Sequence, residues 1–254
     1  MQDVPQRTIR SGRNERFKTW LKYVRNPETD THPWLPVEGL KHIADLAEAR
    51  PIELLLTSGR DRVPEALMRK SAEVVSITDS LMSRLSSVRQ HQGLIAFFKK
   101  PVWQWNNASH FIIYLNQWQD PGNLGTVLRT AWATRQFTVV TSPGTVSLFN
   151  SKVIRASAAM LFRVPFLQGV RFGDLRRRGY RVVATAASEG TSLFEISIQP
   201  PVAFVLGSEG GGINESILTE ADMRVHIPMQ PECDSLNAGV AGALVVYEVY
   251  RRFP

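Results

Sequence analysis

Three stretches in the second half of the sequence carry residue types that could bind a ligand or take part in catalysis. The first is DPGNLGTVLRTA at residues 120–131, in which Arg129 follows Asn123 by six positions. An apolar run precedes it, which is the layout of a nucleotide-binding turn between a strand and a helix. Its glycine spacing, however, matches neither a P-loop with its lysine nor the GxGxxG of a dinucleotide-binding loop. We therefore predict a sharp strand-to-helix turn with another use.

Two side chains of this first stretch are candidates for function. Asn123 could cap the helix that follows, or its amide could contact a substrate. Arg129 has apolar neighbours, including Leu128, Ala131 and Trp132. These neighbours predict a largely buried helix, on which an arginine without a partner would be costly. We therefore expect Arg129 to face a ligand.

The second stretch, VLGSEGGGIN at residues 205–214, places Glu209 before three consecutive glycines. Glycines let the backbone approach a ligand closely and expose N–H groups to an anion or to the edge of an adenine. Glycine-rich turns are common, so this stretch alone does not establish a binding site. Glu209 could contact a ligand or merely cap the helix that we expect near Asn214.

The third stretch, IPMQPECDSLNAGVAGALVVYE at residues 227–248, has hydrogen-bonding side chains at the entrance of a predicted helix, namely Asp234, Ser235 and Asn237. They could cap the helix or contact a ligand. Small residues follow, which would permit very close packing of an intertwined chain segment or of another subunit: Ala238, Gly239, Ala241 and Gly242.

The elements around these stretches must bring them together. From Phe111 onward, apolar strand segments alternate with helical segments, which is typical of a parallel sheet covered on both faces. Each of the three stretches follows a predicted strand. Because ligands bind beyond the carboxyl ends of such strands, we expect the three loops to converge there. Residues 109–254 are therefore predicted to form one α/β domain.

The preceding chain is predicted to contain a smaller α/β unit and a linker. Residues 29–98 alternate helical and strand patterns, and the apolar spacing of VEGLKHIADLAEAR at 37–50 predicts a single helix there. Residues 99–108 combine a proline, polar residues and two tryptophans without a clear period, so we predict a linker.

The charge of the chain favours polyanionic partners. Its 254 residues carry a formal net charge of +7, although many basic proteins bind no nucleic acid. Residues 1–28 are predicted to form a basic arm, which is either a solvated surface or a contact for phosphates. Its arginines recur every third residue and would line one side of a helix: Arg7, Arg10, Arg13 and Arg16.

Composition excludes several classes of protein. The single cysteine, Cys233, rules out an intrachain disulfide and a metal site with several cysteine ligands. The amino terminus lacks the apolar core of a signal peptide, and no run approaches the roughly 20 apolar residues that span a bilayer. We therefore expect a cytoplasmic protein without a metal site or a membrane segment.

The three stretches resemble, in order and spacing, the three motifs of the SpoU (TrmH) family of RNA methyltransferases, in the SPOUT superfamily. The resemblance spans residues 111–250, and three ordered motifs make it specific. The segments VEGLKHIADL and QGLIAFF resemble more diffusely the family's amino-terminal substrate-recognition domain, which is similar to a small ribosomal protein. The resemblance implies an α/β catalytic domain with a carboxy-terminal trefoil knot.

The resemblance also implies a reaction, the transfer of a methyl group from S-adenosylmethionine to a ribose 2′-hydroxyl. Family members are typically homodimers whose active sites contain residues from both subunits. By motif position, the catalytic candidates are Asn123, Arg129, Glu209, Ser235 and Asn237. The cofactor would lie against Leu206, Gly207, Ile227, Met229, Ser235 and Leu236. With the basic arm included, the predicted RNA contacts are Arg129, Arg155, Arg10, Arg13 and Arg16.

The sequence leaves alternatives open. Arg129 could act as a general base helped by an RNA phosphate, or it could stay charged, grip that phosphate and stabilise the alkoxide. Ribosomal RNA is the expected substrate, because an amino-terminal recognition domain is more typical of the ribosomal members than of those acting on transfer RNA. A catalytically silent RNA-binding protein is the rival function. The missing GxGxxG disfavours a nucleotide-dependent oxidoreductase.

Overall fold

A computed structural model describes four ranges of the chain, residues 7–28, 32–59, 63–186 and 190–254. The first six residues of the predicted arm lie outside these ranges, as do residues 29–31 at its boundary with the next segment. The chain divides into two compact units. The described residues up to 101 form the first unit together with 149–155, and the remainder forms the second.

The first unit is built around a mixed five-stranded sheet. Its elements are β1 (Arg7–Ile9), α1 (Glu15–Arg25), β2 (Trp34–Glu38), α2 (Leu40–Ala47), β3 (Leu54–Thr57), α3 (Glu65–Arg69), β4 (Val74–Ile77), α4 (Asp79–Leu85) and β5 (Leu94–Lys99). The strand order is β1-β4-β3-β5-β2. The first three strands in this order are parallel, whereas β5 pairs antiparallel with both β3 and β2.

Residues 7–28 are built into this unit, which corrects the prediction of a separate basic arm. Their first residues pair with β4 as strand β1, and α1 begins only at Glu15. Phe17 and Trp20 on α1 are buried in the core of the sheet. Arg10 and Arg13 precede α1, so the predicted row of arginines along one helix is wrong. The buried aromatic residues, rather than the arginine spacing, determine where the helix lies.

Strand β2 is a second difference from the sequence prediction. The single helix predicted over residues 37–50 is instead the end of β2, a turn at Gly39 and the helix α2. Gly39 has a φ of 92°, a conformation that glycine adopts readily and that separates the two elements. Strand β2 contains Pro36 and lies at the edge of the sheet, where a missing N–H donor is tolerated.

The second unit contains a seven-stranded sheet, and all of its strand pairs are parallel, which confirms the predicted fold class. The strand order is β10-β12-β9-β11-β6-β7-β8. No helix among the described residues is long and apolar enough to cross a membrane. From Phe111 onward the elements are β6 (Phe111–Leu115), α5 (Pro121–Thr134), β7 (Phe137–Thr141), α6 (Ser151–Ala156), β8 (Phe166–Leu167), α7 (Phe172–Arg177), β9 (Arg181–Ala186), β10 (Thr191–Ser192), β11 (Val202–Leu206), α8 (Glu215–Glu220), β12 (Met223–His226) and α9 (Ala238–Arg252). Of these, α6 falls in the first unit except for its last residue.

Helices α5 and α9 pack closely because α9 carries glycines on the shared face. A Cβ atom added at Gly242 would lie 2.7 Å from Cγ2 of Val127 on α5. One added at Gly239 would lie 3.1 Å from Oδ1 of Asn123. The small residues predicted to allow a close approach therefore serve a contact within this chain, and they bring the start of α9 against the start of α5.

Candidate functional site

Four neighbouring strands of the seven-stranded sheet, β12, β9, β11 and β6, end at one edge. The three motif stretches follow β6, β11 and β12. Because the strands are parallel, their carboxyl ends and the loops that leave them lie side by side. Residues that are far apart in the sequence are thereby brought into hydrogen-bonding contact.

The first loop shows which residue caps α5. Asp120 is the cap, since its Oδ1 accepts the N–H of Asn123 at 2.7 Å. Asn123 lies inside the first turn of the helix, so the interpretation of Asn123 as the cap is wrong. Its side-chain amide therefore does not cap α5 and instead forms hydrogen bonds with residues of the other two loops.

Glu209 joins the three loops. Its Oε1 accepts hydrogen bonds from Nδ2 of Asn123 at 2.8 Å, from Nδ2 of Asn237 at 2.7 Å and from the backbone N–H of Ala238 at 3.3 Å. Asn237 also donates to Oδ1 of Asn123 at 2.9 Å. The cap of α8 is Asn214, so Glu209 does not cap the helix that follows it. The network holds both amides in one orientation at the surface.

Asn237 has two roles at once. Its Oδ1 accepts the N–H of Val240 at 3.2 Å and thereby caps α9, while its Nδ2 donates into the network around Glu209. The sequence interpretation treated capping and ligand contact as alternatives. The amide group has an acceptor and a donor end, so one side chain can do both.

A cleft of about 570 Å³ opens beside this network, at the ends of β9 and β11. Its volume is in the range of pockets for small ligands, and its lining is mainly apolar with a few polar groups. All six residues predicted to hold a cofactor line it: Leu206, Gly207, Ile227, Met229, Ser235 and Leu236. Among the catalytic candidates, Glu209 and Asn237 also line it.

Several lining residues were missed in the sequence. Thr185 and Ala186 end β9, which is adjacent to β11, and Ala241 lies one turn into α9. Thr185 and Ala186 could have been predicted if the position of β9 had been known, because a parallel strand beside β11 must have its carboxyl end next to that of β11. The sequence does not show the position of β9 in the sheet.

The loop after β11 is folded tightly. Ser208 and Gly212 exchange backbone hydrogen bonds at 3.1 and 2.9 Å. A Cβ atom at Gly207 would lie 2.2 Å from the carbonyl carbon of Gly212, so a side chain at this position would displace the loop backbone. Gly210 and Gly212 have φ values of 78° and 61°. Glycine is thus required here for a close backbone approach and a positive φ.

A smaller pocket of about 220 Å³ adjoins the cleft. Ser208, Glu209 and Ala238 line both spaces. The small pocket adds residues of the first loop: Trp118, Gln119, Asp120 and Asn123. Trp118 is nearly buried and donates from Nε1 to the carbonyl of Leu206 at 3.2 Å. The network therefore lies between two spaces, one for a large ligand and one for a smaller group.

Arg129 does not line either space. It is exposed on α5, so the prediction of a buried arginine is wrong. Six helical residues correspond to a rise of about 9 Å and a rotation of about 240°, which separates Arg129 from Asn123. Leu128 and Ala131 are buried on the inner face of the helix, whereas Arg129 is on the outer one.

The other arginines predicted to contact RNA also lie outside the cleft. Arg155 is exposed and donates to Oγ of Ser87. Arg10 and Arg13 are exposed. Arg16 is engaged within the first unit, because its Nη1 donates to Oε1 of Glu73 at 2.9 Å. Among the described residues, no group of three or more His, Cys, Asp or Glu could hold a metal ion.

The second unit is similar to a known family of enzymes. A sequence model of the SpoU rRNA methylase family matches residues 110–247, more than half of the chain. The 23S rRNA (guanosine(2553)-2′-O)-methyltransferase RlmP of Bacillus subtilis is 28% identical over 247 residues, which cover 95% of this chain and 98% of RlmP.

Solved structures extend the similarity to nearly the whole chain. The AdoMet-bound rRNA methyltransferase from Sinorhizobium meliloti superimposes with a TM-score of 0.83, at 23% identity and 98% coverage of both chains. This likeness establishes the fold. A second crystal structure, of an RNA 2′-O ribose methyltransferase, has a TM-score of 0.78 at 27% identity and covers 97% of this chain and 99% of its own.

Proposed function

Because the chain belongs to the SpoU rRNA methylase family, we propose that it transfers a methyl group from S-adenosylmethionine to a ribose 2′-hydroxyl of RNA, and that the RNA is ribosomal. One observation carries this proposal. A ligand-sized cleft and a smaller pocket meet at the hydrogen-bonded network of Asn123, Glu209 and Asn237. The named action of RlmP on 23S rRNA supports the substrate class.

The cleft fits S-adenosylmethionine by shape and by chemistry. The tight turn at Gly207 leaves backbone groups at the cleft wall, and Ile227, Met229 and Leu236 supply apolar surface. Together with Leu206 and Ser235, these residues would hold the cofactor. When bound, the cofactor supplies a methyl group that is attached to a sulfonium. Transfer of this methyl group leaves a neutral thioether.

The protein must then orient the ribose hydroxyl and stabilise the charge that develops on its oxygen. Asn123 and Asn237 are already fixed by Glu209, so they can orient a hydroxyl with little loss of side-chain entropy. Ser235 adds a hydroxyl at the cleft. Arg129 is exposed, and a guanidinium is a poor proton acceptor but a good donor to phosphate oxygens. We therefore assign Arg129 to the RNA phosphate beside the target ribose, rather than to proton abstraction, and the proton of the hydroxyl would pass to solvent water as the oxygen takes the methyl group.

The position of Arg129 supports a homodimer in which each site uses Arg129 from the partner subunit. Within one protomer, the side chain of Arg129 lies on the exposed outer face of α5. Helix α9 supports the same proposal, because Val240 and Tyr247, two turns apart on one face, are 47% and 52% exposed. Large apolar side chains exposed along a helix are typical of a subunit contact. A trefoil knot formed by the carboxy-terminal segment is part of the proposed fold.

The first unit is proposed to recognise the RNA. Arg10 and Arg13 extend from it into solvent and could pair with phosphates, which position RNA without reading its sequence. Residues 29–98 remain the proposed recognition domain and residues 99–108 its linker to the methyltransferase domain at 109–254. An enzyme of ribosomal RNA would work in the cytoplasm, where that RNA is assembled.

Mapping of 2′-O-methyl groups in RNA from cells with and without the protein tests the function. We expect one ribosomal RNA site to lose its methyl group when the protein is absent. If ribosomal RNA is unchanged and a transfer RNA loses its mark, the substrate is wrong although the reaction is right. If no RNA changes, the rival function of a silent RNA-binding protein gains support.

Cofactor binding can be tested separately with S-adenosylhomocysteine. We expect it to raise the melting temperature of the protein, because a ligand that binds only the folded state stabilises it. NADH serves as the control and should leave the melting temperature unchanged. Stabilisation by NADH alone would point to an oxidoreductase.

A further inference from the structure

A second group of functional residue types lies at the opposite end of the seven-stranded sheet. Arg181 begins β9, whereas Ala186, which ends it, lines the cleft. Five residues of extended strand separate the two positions by about 17 Å. The end of α7 and the turn into β9 carry four arginines at this end of the sheet: Arg176, Arg177, Arg178 and Arg181.

One of these arginines stacks on aromatic rings. The guanidinium carbon of Arg178 lies 4.2 Å from the centroid of the Trp105 ring. Trp105 in turn packs against Tyr180, with ring centroids 6.5 Å apart. The hydroxyl of Tyr180 donates to the carbonyl of Ser109 at 2.8 Å, which holds this ring in place. The result is a fixed platform of flat groups, of the kind on which nucleic acid bases and sugars stack.

The charges of this segment divide into two sets. Arg176 lies 3.3 Å from Oδ1 of Asp222, and Arg177 pairs with Asp174 on the same helix. For Arg178 and Arg181, no carboxylate of the described residues is at ion-pair distance; Arg181 donates instead to the neutral amide of Gln199 at 3.2 Å. These two guanidiniums are therefore available to bind an external anion.

An open pocket of about 490 Å³ is lined by arginines of both the paired and the unpaired set. Arg176, Gly179, Tyr180, Arg181 and Asp222 line it. The carboxylate of Asp222 already accepts the backbone N–H of Val182 at 2.7 Å and faces Arg176, so its charge is compensated. The pocket can therefore accept an anionic group despite the acid in its wall.

We propose that Trp105, Arg178, Tyr180 and Arg181 form a distal RNA-binding surface, which holds the sugar–phosphate backbone of the substrate at a distance from the methylated nucleotide. The inference rests on the proposed function and extends it. Guanidiniums form charge-assisted hydrogen bonds with phosphates, and the aromatic platform can take an unpaired base. The surface would favour long or folded RNA over a short fragment that reaches only the cleft.

The test compares two RNAs and two double variants. One RNA is a short hairpin that contains the mapped methylation site, and the other is a longer fragment of the same ribosomal RNA. Arg178→Ala with Arg181→Ala removes two uncommitted charges from the distal surface. Arg177→Ala with Arg251→Ala is the matched control, because it removes two arginines that are each paired with a carboxylate three residues away.

We expect the parent protein and the control to bind the long RNA more tightly than the hairpin. The distal variant should lose about tenfold in affinity for the long RNA and little for the hairpin. Its plot of log affinity against log salt concentration should become shallower by roughly 1 to 2, since about two phosphate contacts are lost. The melting shift with S-adenosylhomocysteine should be retained, which establishes that the variant is folded.

Equal binding of the long RNA by the distal variant and the parent, with the same salt dependence, would overturn the inference. So would equal losses for the long RNA and the hairpin, because they would indicate a general effect of charge. Either result leaves methyl transfer by the parent protein intact. If the parent protein methylates no RNA, the proposed function is wrong. That result comes from the parent protein only and does not depend on the variants.

Discussion

The two ends of the seven-stranded sheet offer a ligand different chemistry. At the carboxyl end, the protein presents backbone groups, a carboxylate and two amides that are already hydrogen-bonded to one another. At the amino end, it presents exposed arginines on an aromatic platform. The first arrangement suits one small ligand in one orientation, whereas the second suits a flexible polyanion. We therefore propose that methyl transfer takes place at the carboxyl end of the sheet and that the amino end holds a distant part of the RNA.

This comparison is most directly challenged by Arg129, an arginine that we propose to act at the carboxyl end. We expect Arg129→Ala to reduce turnover on the order of 10²- to 10³-fold, as when a group that stabilises developing charge is removed. Cofactor affinity should be unchanged, because Arg129 does not line the cleft. Arg135→Ala, at the other end of α5, is the control. Near-parental methylation by Arg129→Ala would refute its role.

Glu209 tests whether the pre-formed network matters at the carboxyl end. Glu209→Ala leaves the amides of Asn123 and Asn237 without their shared acceptor, so we expect turnover to fall on the order of 10²-fold through misplacement of the substrate. Glu215→Ala, a change of the same kind at a residue whose side chain is 80% exposed, should have little effect. Equal rates for the two variants would show that the network is only structural.

Gly207 tests the cofactor cradle. Gly207→Ala places a Cβ atom against the carbonyl of Gly212 and must displace the loop, so we expect at least a roughly tenfold loss of S-adenosylhomocysteine affinity in titration calorimetry. Gly173→Ala in α7 is the control: Gly173 does not line the cleft, and the nearest atom to the added carbon is Nη1 of Arg177 at 3.7 Å. If both variants bind equally well, the clash at Gly207 is not what shapes the cleft.

The smallest effect is expected between the two ends, at Tyr114 in β6. Its buried hydroxyl donates to the carbonyl of Val170 at 2.9 Å, and burial raises the pKa of Tyr114 to about 12. Tyr114→Phe should cost about 1 kcal/mol of unfolding free energy at neutral pH, because the carbonyl loses its partner. Denaturant titrations measure this difference, and methylation should continue.

The sign of the pH dependence follows from the same shift. The folded state favours the neutral phenol, so its contribution to stability is complete below the ordinary tyrosine pKa of about 10 and is lost as pH rises through about 12. Parental stability should therefore fall more steeply than that of Tyr114→Phe over this interval. Parallel curves would contradict the raised pKa.

Much of the second unit could be predicted from its sequence. Alternating apolar segments indicated the parallel sheet, and the predicted cofactor residues all line one cleft. The first unit was harder. The edge strand β2 was not predicted, and the arginine spacing of residues 7–16 suggested a helix there. Residues 7–9 instead pair with β4, and α1 begins only at Glu15, after its cap Asn14.

The sequence by itself determined which side chains stand in the three loops, because residue type and spacing along one strand or helix are local properties. Only the tertiary structure decided how they pair. Glu209 meets Asn123 across 86 positions and Asn237 across 28, since β11 lies beside β6 and only one strand away from β12 in the sheet. The same packing leaves Arg129 outside, because Gly239 and Gly242 draw the inner face of α5 against α9 and turn the arginine to solvent.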